Sequence, residues 1–443
     1  MLRRNSIAVI STIIIALMCS SSSTTDAFSL GIPSAASERS AFTSSSSSSS
    51  SSWSTQSTNS QRLAAGQRIC QSARSTSSSS TLKMKASNAP PPYPVRIAVM
   101  GGGNFGLAMA SICARQGHPT TILVRSESVA NEINTNHTHP TYMKGITLPT
   151  KVRATIKPEE CLTDATYIVH AVPCQYSRRF LEGVKEHIPA GTPILSVSKG
   201  IETSSLGFMT DVLMDCLGED RPLAFLSGPS FAREIIEGVA TAVVIASDDL
   251  DLARDLANLL SDDNFKCFTS QDVVGVEIGG AVKNVIALGA GMCEGLGLGT
   301  NAMSGLVTRG CNEMRRLGVT FGARPSTIAG LSGVGDTFGT CFGPLSRNRK
   351  FGYRLGKGET MAEILESTTE VAEGVDTALA VVNLINTKCK GYRLDLKYPI
   401  LFGIAQILEG KITPLEGLEG LMNMPMQMEN FDETRKTGRI RER

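Results

Sequence analysis

The segment that decides the fold is VRIAVMGGGNFG, residues 95–106. An apolar run suited to a buried strand leads directly into a G-x-G-x-x-G motif, and residues 107–116 follow with the pattern of a helix. In this strand–turn–helix context Gly101 permits the tight turn, Gly103 lets a pyrophosphate approach the backbone, and Gly106 lets helix and strand pack closely. The free amides at the start of the helix suit a phosphate anion. The motif predicts a Rossmann domain that binds NAD or NADP; the alternative is a glycine-rich loop without a ligand.

The end of the second strand bears on the choice of cofactor. An acid about twenty residues beyond the glycines binds the ribose 2′-hydroxyl of NAD, whereas an arginine there accommodates the 2′-phosphate of NADP. Residues 120–124 are predicted to form this strand, no acid stands at the expected place, and Arg125 follows directly. The pattern favours tolerance of NADP and leaves the preference open.

Further strand-like runs alternate with helical stretches up to about residue 272, which predicts a doubly wound α/β domain. The runs cover residues 167–172, 193–198, 224–226, 242–246 and 265–268. In such sheets ligands lie beyond the carboxyl ends of the strands. Lys199 directly follows an apolar strand, so it is expected to point into that crevice; a solvated surface lysine is the alternative.

From residue 273 onward, long apolar-periodic stretches predict an all-helical domain. Within GGAVKNVIALGAG, residues 279–291, Lys283 and Asn284 are the polar side chains. Burying an ammonium group costs several kcal/mol unless it is paired, and burial lowers its pKa, so it can accept and return a proton near neutral pH. All five histidines precede this segment. Lys283 is therefore the leading candidate for proton transfer; a lysine that snorkels from a core helix is the alternative.

Residues 331–350 are rich in glycine and are predicted to form a non-helical patch between the helices. The patch ends in a cluster of hydrogen-bonding and basic residues that includes Ser346, Arg347 and Asn348. Arginine presents a rigid fork of donors that matches a phosphate group. The cluster indicates phosphate binding, and an exposed basic turn is the alternative.

Residues 1–94 differ from the rest of the chain. An apolar run at residues 7–19 resembles the core of a signal peptide, and a Ser- and Thr-rich, acid-poor stretch follows that is predicted to be disordered. This order resembles the two-part plastid presequence of algae with secondary plastids, with Ala27-Phe28 as its cleavage junction. Plastid targeting is the interpretation; the secretory pathway and the cytoplasm are the alternatives.

Charge and cysteine content exclude several functions. The leader holds eight basic and two acidic residues, so the net charge changes from +2 to about −4 without it. No polybasic patch then remains for nucleic acid or an anionic membrane surface, and no stable membrane anchor is expected in the mature chain. The eleven cysteines form no Cys-x-x-Cys pair and no metal-binding spacing, which favours free thiols in a reducing compartment and no metal.

Together these motifs resemble the soluble NAD(P)-dependent glycerol-3-phosphate dehydrogenases of bacteria and plastids, from about residue 95 to about residue 410. The order and spacing of the matching blocks carry the resemblance: residues 101–106, 199–202, 227–232, 279–291, 299–302, 333–336, 346–349 and 371–374. Two local departures are Cys174, where the family usually has serine, and Tyr142-Met143-Lys144, where it has Tyr-Leu-Pro.

The resemblance implies an α/β Rossmann domain at residues 95–272, an all-α C-terminal domain at residues 273–443, and usually a homodimer. It implies interconversion of sn-glycerol 3-phosphate and dihydroxyacetone phosphate, a phosphorylated triose, by hydride transfer with NAD or NADP, which supplies glycerophospholipid precursors. By resemblance Lys283 is the proton acceptor, assisted by Lys199 and Asp336. The implied substrate contacts are Lys199, Gly228, Ser230, Lys283, Asp336, Ser346, Arg347 and Asn348. The implied cofactor contacts are Gly101, Gly103, Asn104, Phe105, Gly106, Arg125, Lys199, Ala232, Arg347 and Glu373.

Two other functions stay open at this point. A β-hydroxyacid dehydrogenase also combines a Rossmann domain, a helical domain and a lysine base, but it needs a carboxylate site. A non-catalytic redox sensor that binds a dinucleotide is the second alternative; it predicts lost acid and base residues, and none of the candidates is lost.

Overall fold

The computed structural model describes residues 95–368 and 372–424. The predicted presequence, residues 1–94, lies outside the described residues.

The first part of the described chain forms one eight-stranded sheet in the order β3-β2-β1-β4-β5-β6-β7-β8. Strands β1 to β6 are mutually parallel, β7 runs antiparallel to β6, and β8 is parallel to β7. The chain reverses its direction of winding where β1 lies between β2 and β4, which is where such sheets bind ligands. The strands are Ile97–Met100, Thr120–Leu123, Val152–Thr155, Tyr167–His170, Ile194–Ser196, Leu223–Ser227, Thr241–Ala246 and Phe265–Ser270.

Helices cover both faces of this sheet. Side chains alternate along β1, so Ile97 and Val99 enter one apolar core while Ala98 and Met100 enter another on the opposite face. Both cores are buried because helices α1 to α7 pack on the two sides. These helices are Asn104–Arg115, Glu127–Asn136, Pro158–Leu162, Cys174–Val184, Met209–Leu217, Ala232–Ile236 and Leu250–Leu260.

The rest of the described chain is helical and is built around α8, Val273–Gly295. The side chain of Asp272 caps this helix by accepting from the Gly275 amide at 2.9 Å. By length and composition α8 could cross a membrane, but 89% of its most apolar window is buried inside the protein. The other helices of this part, α9 to α17, are Gly299–Thr320, Pro325–Ile328, Asp336–Phe342, Arg347–Gly356, Met361–Ser367, Glu373–Lys388, Leu394–Lys397, Pro399–Leu408 and Pro414–Met422.

The predicted fold class, a Rossmann domain followed by an all-α domain, is confirmed. The change from sheet to helix falls between Ser270 and Val273. The exact domain bounds stay predictions.

The prediction of a non-helical patch at residues 331–350 is wrong. Residues Leu331–Gly335 form a π-helical turn that runs into α11, and only a short connection separates α11 from α12. A glycine in this segment serves close packing, because a Cβ at Gly333 would overlap the Ile328 carbonyl. Just beyond the segment, a Cβ at Gly352 of α12 would overlap the Leu288 carbonyl of α8. Glycine here permits helices to touch through their backbones, which sequence alone does not distinguish from a flexible loop.

Candidate active site

The glycine-rich turn lies between β1 and α1, at the reversal point of the sheet. Gly101 has a φ of 109°, and a Cβ there would lie 2.7 Å from the Ala171 carbonyl oxygen. A Cβ at Gly106 would overlap the Gly101 carbonyl. Gly103, the residue before the helix, has no protein atom within 4 Å of the position of a Cβ. The first and last glycines of the motif are thus required by the protein itself, whereas Gly103 leaves open space in front of the free amides of α1.

Asn104 and Phe105, the first two residues of α1, are half-buried beside this space. Arg125 is exposed between β2 and α2, at the carboxyl end of the strand that neighbours β1. These positions fit a dinucleotide that lies along the carboxyl edge of the sheet, with its pyrophosphate on α1.

Three charged side chains meet where the sheet faces the helical domain. The Lys283 ammonium donates to Oδ1 of Asp336 at 2.6 Å and to the Thr340 hydroxyl at 3.0 Å. The Lys199 ammonium donates to the other oxygen, Oδ2, at 2.7 Å. Their exposed side-chain fractions are 10% for Lys283, 3% for Asp336 and 13% for Lys199. Neither lysine snorkels to the surface, so both surface alternatives are wrong.

Each member of this cluster is placed by a different element. Lys283 lies in the middle of α8, Asp336 begins α11 with Thr340 one turn later, and Lys199 follows β5. Asp336 therefore joins a lysine of the helical part to a lysine of the sheet. Thr340 was not among the residues expected from the sequence, although its spacing of four from Asp336 places both on one helix face.

Burial and charge set the protonation of the cluster. Burial lowers the pKa of Lys283 to about 8, with Asp336 acting against this shift and Lys199 adding to it. Burial alone raises the pKa of the Asp336 carboxyl, but the two ammonium groups outweigh burial and hold its pKa below the ordinary value. Asp336 is therefore ionised throughout the physiological range, whereas Lys283 can exchange a proton near neutral pH.

Ser346, Arg347 and Asn348 lie at the start of α12, and each has a different environment. The Ser346 hydroxyl caps the helix by accepting from the Arg349 amide at 3.2 Å. The buried Asn348 side chain donates to Asn284 Oδ1 at 2.9 Å and accepts from the Gly374 amide at 3.0 Å. Arg347 is exposed, whereas Ser346 and Asn348 are buried. The guanidinium donors of Arg347 therefore lie at the surface beside two buried, neutral, hydrogen-bonded side chains.

Arg347 and Arg349, both in the first turn of α12, interact with different acidic residues. Arg349 forms an ion pair with Glu294 of α8 at 2.7 Å. Arg347 instead lies in the electrostatic range of Glu373, the first residue of α14: burial raises the pKa of Glu373, and Arg347, Lys199 and Lys283 act against that shift. Glu373 therefore interacts electrostatically with Arg347 and with the lysine cluster, whereas Arg349 joins α12 to α8 through its ion pair.

The loop after β6 adjoins the same cluster. The Ser230 hydroxyl donates to the Gly228 carbonyl at 2.8 Å, and Ala232 begins α6. Pro229 packs against α11, because its Cβ lies 3.5 Å from the position of a Cβ at Gly339. Gly228, Ser230 and Ala232 thus alternate with two residues, Pro229 and Phe231, that lie beside the helix that carries Asp336 and its C-terminal end. Within residues 95–368 and 372–424 no group of three or more His, Cys, Asp or Glu residues could hold a metal ion.

Comparison with known proteins agrees with this architecture. The model for the N-terminus of NAD-dependent glycerol-3-phosphate dehydrogenase matches residues 96–253, and the model for its C-terminus matches residues 272–419. The chloroplastic NAD(+) glycerol-3-phosphate dehydrogenase 2 of Arabidopsis thaliana is 44% identical over 333 residues, which cover 74% of this chain and 78% of the relative. A glycerol-3-phosphate dehydrogenase of Xanthomonas campestris, named for NAD(P)+, is 39% identical over 330 residues, which cover 74% of this chain and 94% of the relative.

A solved structure extends the agreement to three dimensions. The crystal structure of glycerol-3-phosphate dehydrogenase from Coxiella burnetii superposes with a TM-score of 0.70 at 30% identity, covering 75% of this chain and all of that one. The family models match both parts of the fold in sequence order, and the resemblance stated from the sequence is confirmed. The chain belongs to the NAD-dependent glycerol-3-phosphate dehydrogenase family.

Proposed function

We propose that this enzyme interconverts sn-glycerol 3-phosphate and dihydroxyacetone phosphate, with Lys283, Asp336 and Lys199 managing the proton. The observation that carries the proposal is the single buried carboxylate that binds both lysines, at 2.6 and 2.7 Å. A buried, paired lysine whose pKa is lowered is a suitable general acid and base.

In the direction of oxidation, neutral Lys283 accepts the proton of the C2 hydroxyl. Asp336 and Thr340 fix the position of the Lys283 amine before and after this transfer. In the direction of reduction, the Lys199 ammonium polarises the carbonyl, and protonated Lys283 returns the proton to the oxygen. When bound, the nicotinamide cofactor supplies or accepts the hydride at C2.

We assign the phosphate of the substrate to the start of α12. The Arg347 guanidinium offers paired donors, and Asn348 retains one amide hydrogen after its bond to Asn284. The Ser346 hydroxyl still has its proton to donate, because it acts as an acceptor towards Arg349. Gly228 and Ser230 line the opposite side. Holding the phosphate at a fixed distance from the lysine cluster places C2 for the reaction.

The cofactor is assigned to the carboxyl edge of the sheet. Gly101, Gly103 and Gly106 form the turn on which the pyrophosphate would lie, and Asn104, Phe105 and Arg125 border it. Ala232, Arg347, Lys199 and Glu373 are assigned to the nicotinamide end, where the two parts of the fold meet. Both NAD and NADP fit this assignment, and Arg125 is the residue that favours use of NADP.

We further propose that the enzyme is a homodimer that supplies glycerophospholipid precursors in a plastid. The composition of residues 1–94 supports the location. A fluorescent protein fused to residues 1–94 should enter plastids of an alga with secondary plastids; a fusion that stays in the cytosol contradicts the assignment.

The activity is tested by following the oxidation of NADH and NADPH spectrophotometrically with dihydroxyacetone phosphate. We expect turnover with at least one of the two cofactors. The β-hydroxyacid alternative predicts turnover of a 3-oxo acid instead, and the redox-sensor alternative predicts cofactor binding without turnover.

A further inference from the structure

A small cavity lies behind Lys199, between the carboxyl ends of β5 and β6 and the first two turns of α8. Its free volume is about 10 Å³, close to the space that one enclosed water molecule needs. Its polar lining comes from Ser198, Lys199, Ser227 and Glu277. The cavity therefore meets the lower limit of space for a single water molecule, and its lining offers polar groups that could bind one.

Ser227, the last residue of β6, gives the first sign of a ligand in this cavity. The residue is 2% exposed, and its buried hydroxyl oxygen has no hydrogen-bond partner among the described residues. The hydroxyl faces α8 at Gly280, where a Cβ would lie 3.0 Å away. A buried hydroxyl without a partner destabilises the folded protein. A water molecule in the cavity would give this hydroxyl a partner.

Glu277 of α8 lines the same cavity. Its carboxylate accepts from the Thr210 amide at 2.9 Å and from the Thr210 hydroxyl at 2.6 Å, and so caps α5. Each carboxylate oxygen keeps a further lone pair for another donor. Burial raises the pKa of Glu277 to about 7, the nearby Asp211 adds to the shift, and the Thr210 bonds act against it. This carboxyl therefore gains and loses its charge near neutral pH.

The charged and titratable groups around Glu277 are few. Asp211 faces it from α5, Lys199 from the loop after β5, and the Cys174 thiol from α4. In sequence, β6 and the π-helical turn contain no titratable side chain. Lys199 is the cation that shares the cavity, and its charge lowers the pKa of Lys283 in turn. Glu277 therefore shares one cavity with Lys199, a member of the lysine cluster.

We propose that the cavity holds one fixed water molecule bound to Ser227 and Glu277, and that Glu277 is a positioning residue whose charge sets how strongly the lysine cluster attracts the substrate's phosphate. The inference rests on the proposed function. Two ammonium groups share one aspartate, which leaves an excess positive charge that favours a dianion. Ionised Glu277 offsets that charge, and protonated Glu277 does not. Affinity for the phosphorylated substrate therefore falls as pH rises through neutrality.

The test is Glu277→Gln in the full-length chain, since glutamine still accepts a hydrogen bond from Thr210. The dissociation constant for dihydroxyacetone phosphate is measured by calorimetry at pH 6 and pH 8 with NAD⁺ present, which has no hydride to give. At pH 8 we expect the variant to bind about two- to fivefold more tightly than wild type, because one nearby negative charge has been removed. At pH 6 the two proteins should bind equally, because Glu277 is then protonated in wild type. Taking the ratio of variant to wild type cancels the titration of the substrate's own phosphate.

Glu313→Gln is the matched control. Glu313, like Glu277, is a carboxyl on a helix, and burial raises its pKa to about 8. It also caps a second helix, accepting from the Ile400 and Leu401 amides at 2.9 and 3.0 Å. It does not line the cavity, so its replacement should leave the affinity ratio the same at both pH values.

The proposal is overturned if the ratio of the dissociation constants of Glu277→Gln and wild type is the same at pH 6 and pH 8, or if the variant binds more weakly at both. Structural damage alone does not strengthen binding.

Ser227→Ala tests whether the water molecule is present. Without its partner the water no longer stabilises the carboxylate, so the pH at which affinity changes should rise by about half a unit; an unchanged midpoint removes the water from the site. A wild type that binds dihydroxyacetone phosphate without reducing it contradicts the proposed function and leaves this comparison intact.

Discussion

Glycine has opposite uses in the two halves of this molecule. In the Rossmann half, Gly103 leaves space in front of free amides, with no protein atom within 4 Å of the position of a Cβ. In the helical half, Gly352 leaves no open space, because it packs so closely on α8 that a Cβ there would overlap the backbone of that helix. The backbone therefore provides the assigned pyrophosphate site in the first half. Charged side chains provide the assigned substrate site, chiefly Lys283 and Arg347 of the second half, together with Lys199 from the first. Glycine content alone does not reveal which use applies.

The largest expected effect concerns the side chains of the helical half. Lys283→Ala should reduce kcat by about 10²- to 10⁴-fold, as removal of a general acid or base does. The Kd for NADH should remain within about twofold of wild type, because the assigned cofactor site lies on the sheet. Steady-state kinetics and fluorescence titration of NADH check the two quantities. A variant that keeps more than about a tenth of the wild-type kcat would show that another group transfers the proton.

The contrast between the glycines can be tested directly with a matched pair of variants. Gly352→Ala forces a methyl group against the Leu288 carbonyl, so we expect a loss of about 1–3 kcal/mol or more in unfolding free energy. An alanine at position 103 has open space and an ordinary φ of −77°, so the melting temperature of Gly103→Ala should match wild type. Its methyl group would occupy the assigned pyrophosphate site, so the Kd for NADH should rise at least tenfold, or about 1.4 kcal/mol.

Denaturant unfolding and NADH titration of both variants separate these effects. If Gly103→Ala binds NADH normally, the space beside Gly103 does not hold the pyrophosphate. If Gly352→Ala unfolds like wild type, the helices can separate without cost, and the packing argument does not hold.

These contrasts explain what the sequence could predict. The motif at residues 101–106 and the apolar setting of Lys283 predicted a dinucleotide turn and a buried lysine because both depend on local sequence. The strand β3, Val152–Thr155, was missed because four residues with two polar side chains carry little signal. The helices in residues 331–350 were missed because glycines such as Gly333, which packs against the backbone of α10, resemble the glycines of a flexible loop in sequence.

The site itself shows the same limit. Sequence placed Lys199 at a strand end and Lys283 on a helix, but not the bridge between them, since Asp336 meets Lys199 across 137 positions of the chain. Thr340 and Glu277 were missed because a threonine or glutamate within a helix usually lies on the surface. Their contacts arise from tertiary packing.

The next effect concerns Arg347, the exposed arginine at the start of α12. Hydrogen bonds to charged groups are worth about 1.5–3 kcal/mol, so Arg347→Ala should lower kcat/KM for dihydroxyacetone phosphate by about ten- to a hundredfold. Reduction of unphosphorylated dihydroxyacetone should hardly change. Arg349→Ala is the matched control, because Arg349 pairs with Glu294 and should affect stability more than kcat/KM. Equal losses for both substrates would mean that Arg347 acts through the cofactor and does not bind the substrate's phosphate.

The smallest effect is expected at Arg125, the charged side chain that would bind the ribose end of the cofactor beside the backbone site of the Rossmann half. Arg125 is exposed at the end of β2, where a 2′-phosphate would be screened by solvent. Arg125→Ala should therefore lower kcat/KM for NADPH by only about three- to tenfold and leave kcat/KM for NADH within about twofold. Because the two cofactors differ only at the 2′ position, the ratio of their kcat/KM values isolates this contact from any damage to the turn at Gly103. The loss for NADPH should also shrink as salt concentration rises, since the contact is electrostatic. A ratio that does not change means that Arg125 does not bind the 2′-phosphate, and that this arginine adds nothing to the backbone site at Gly103.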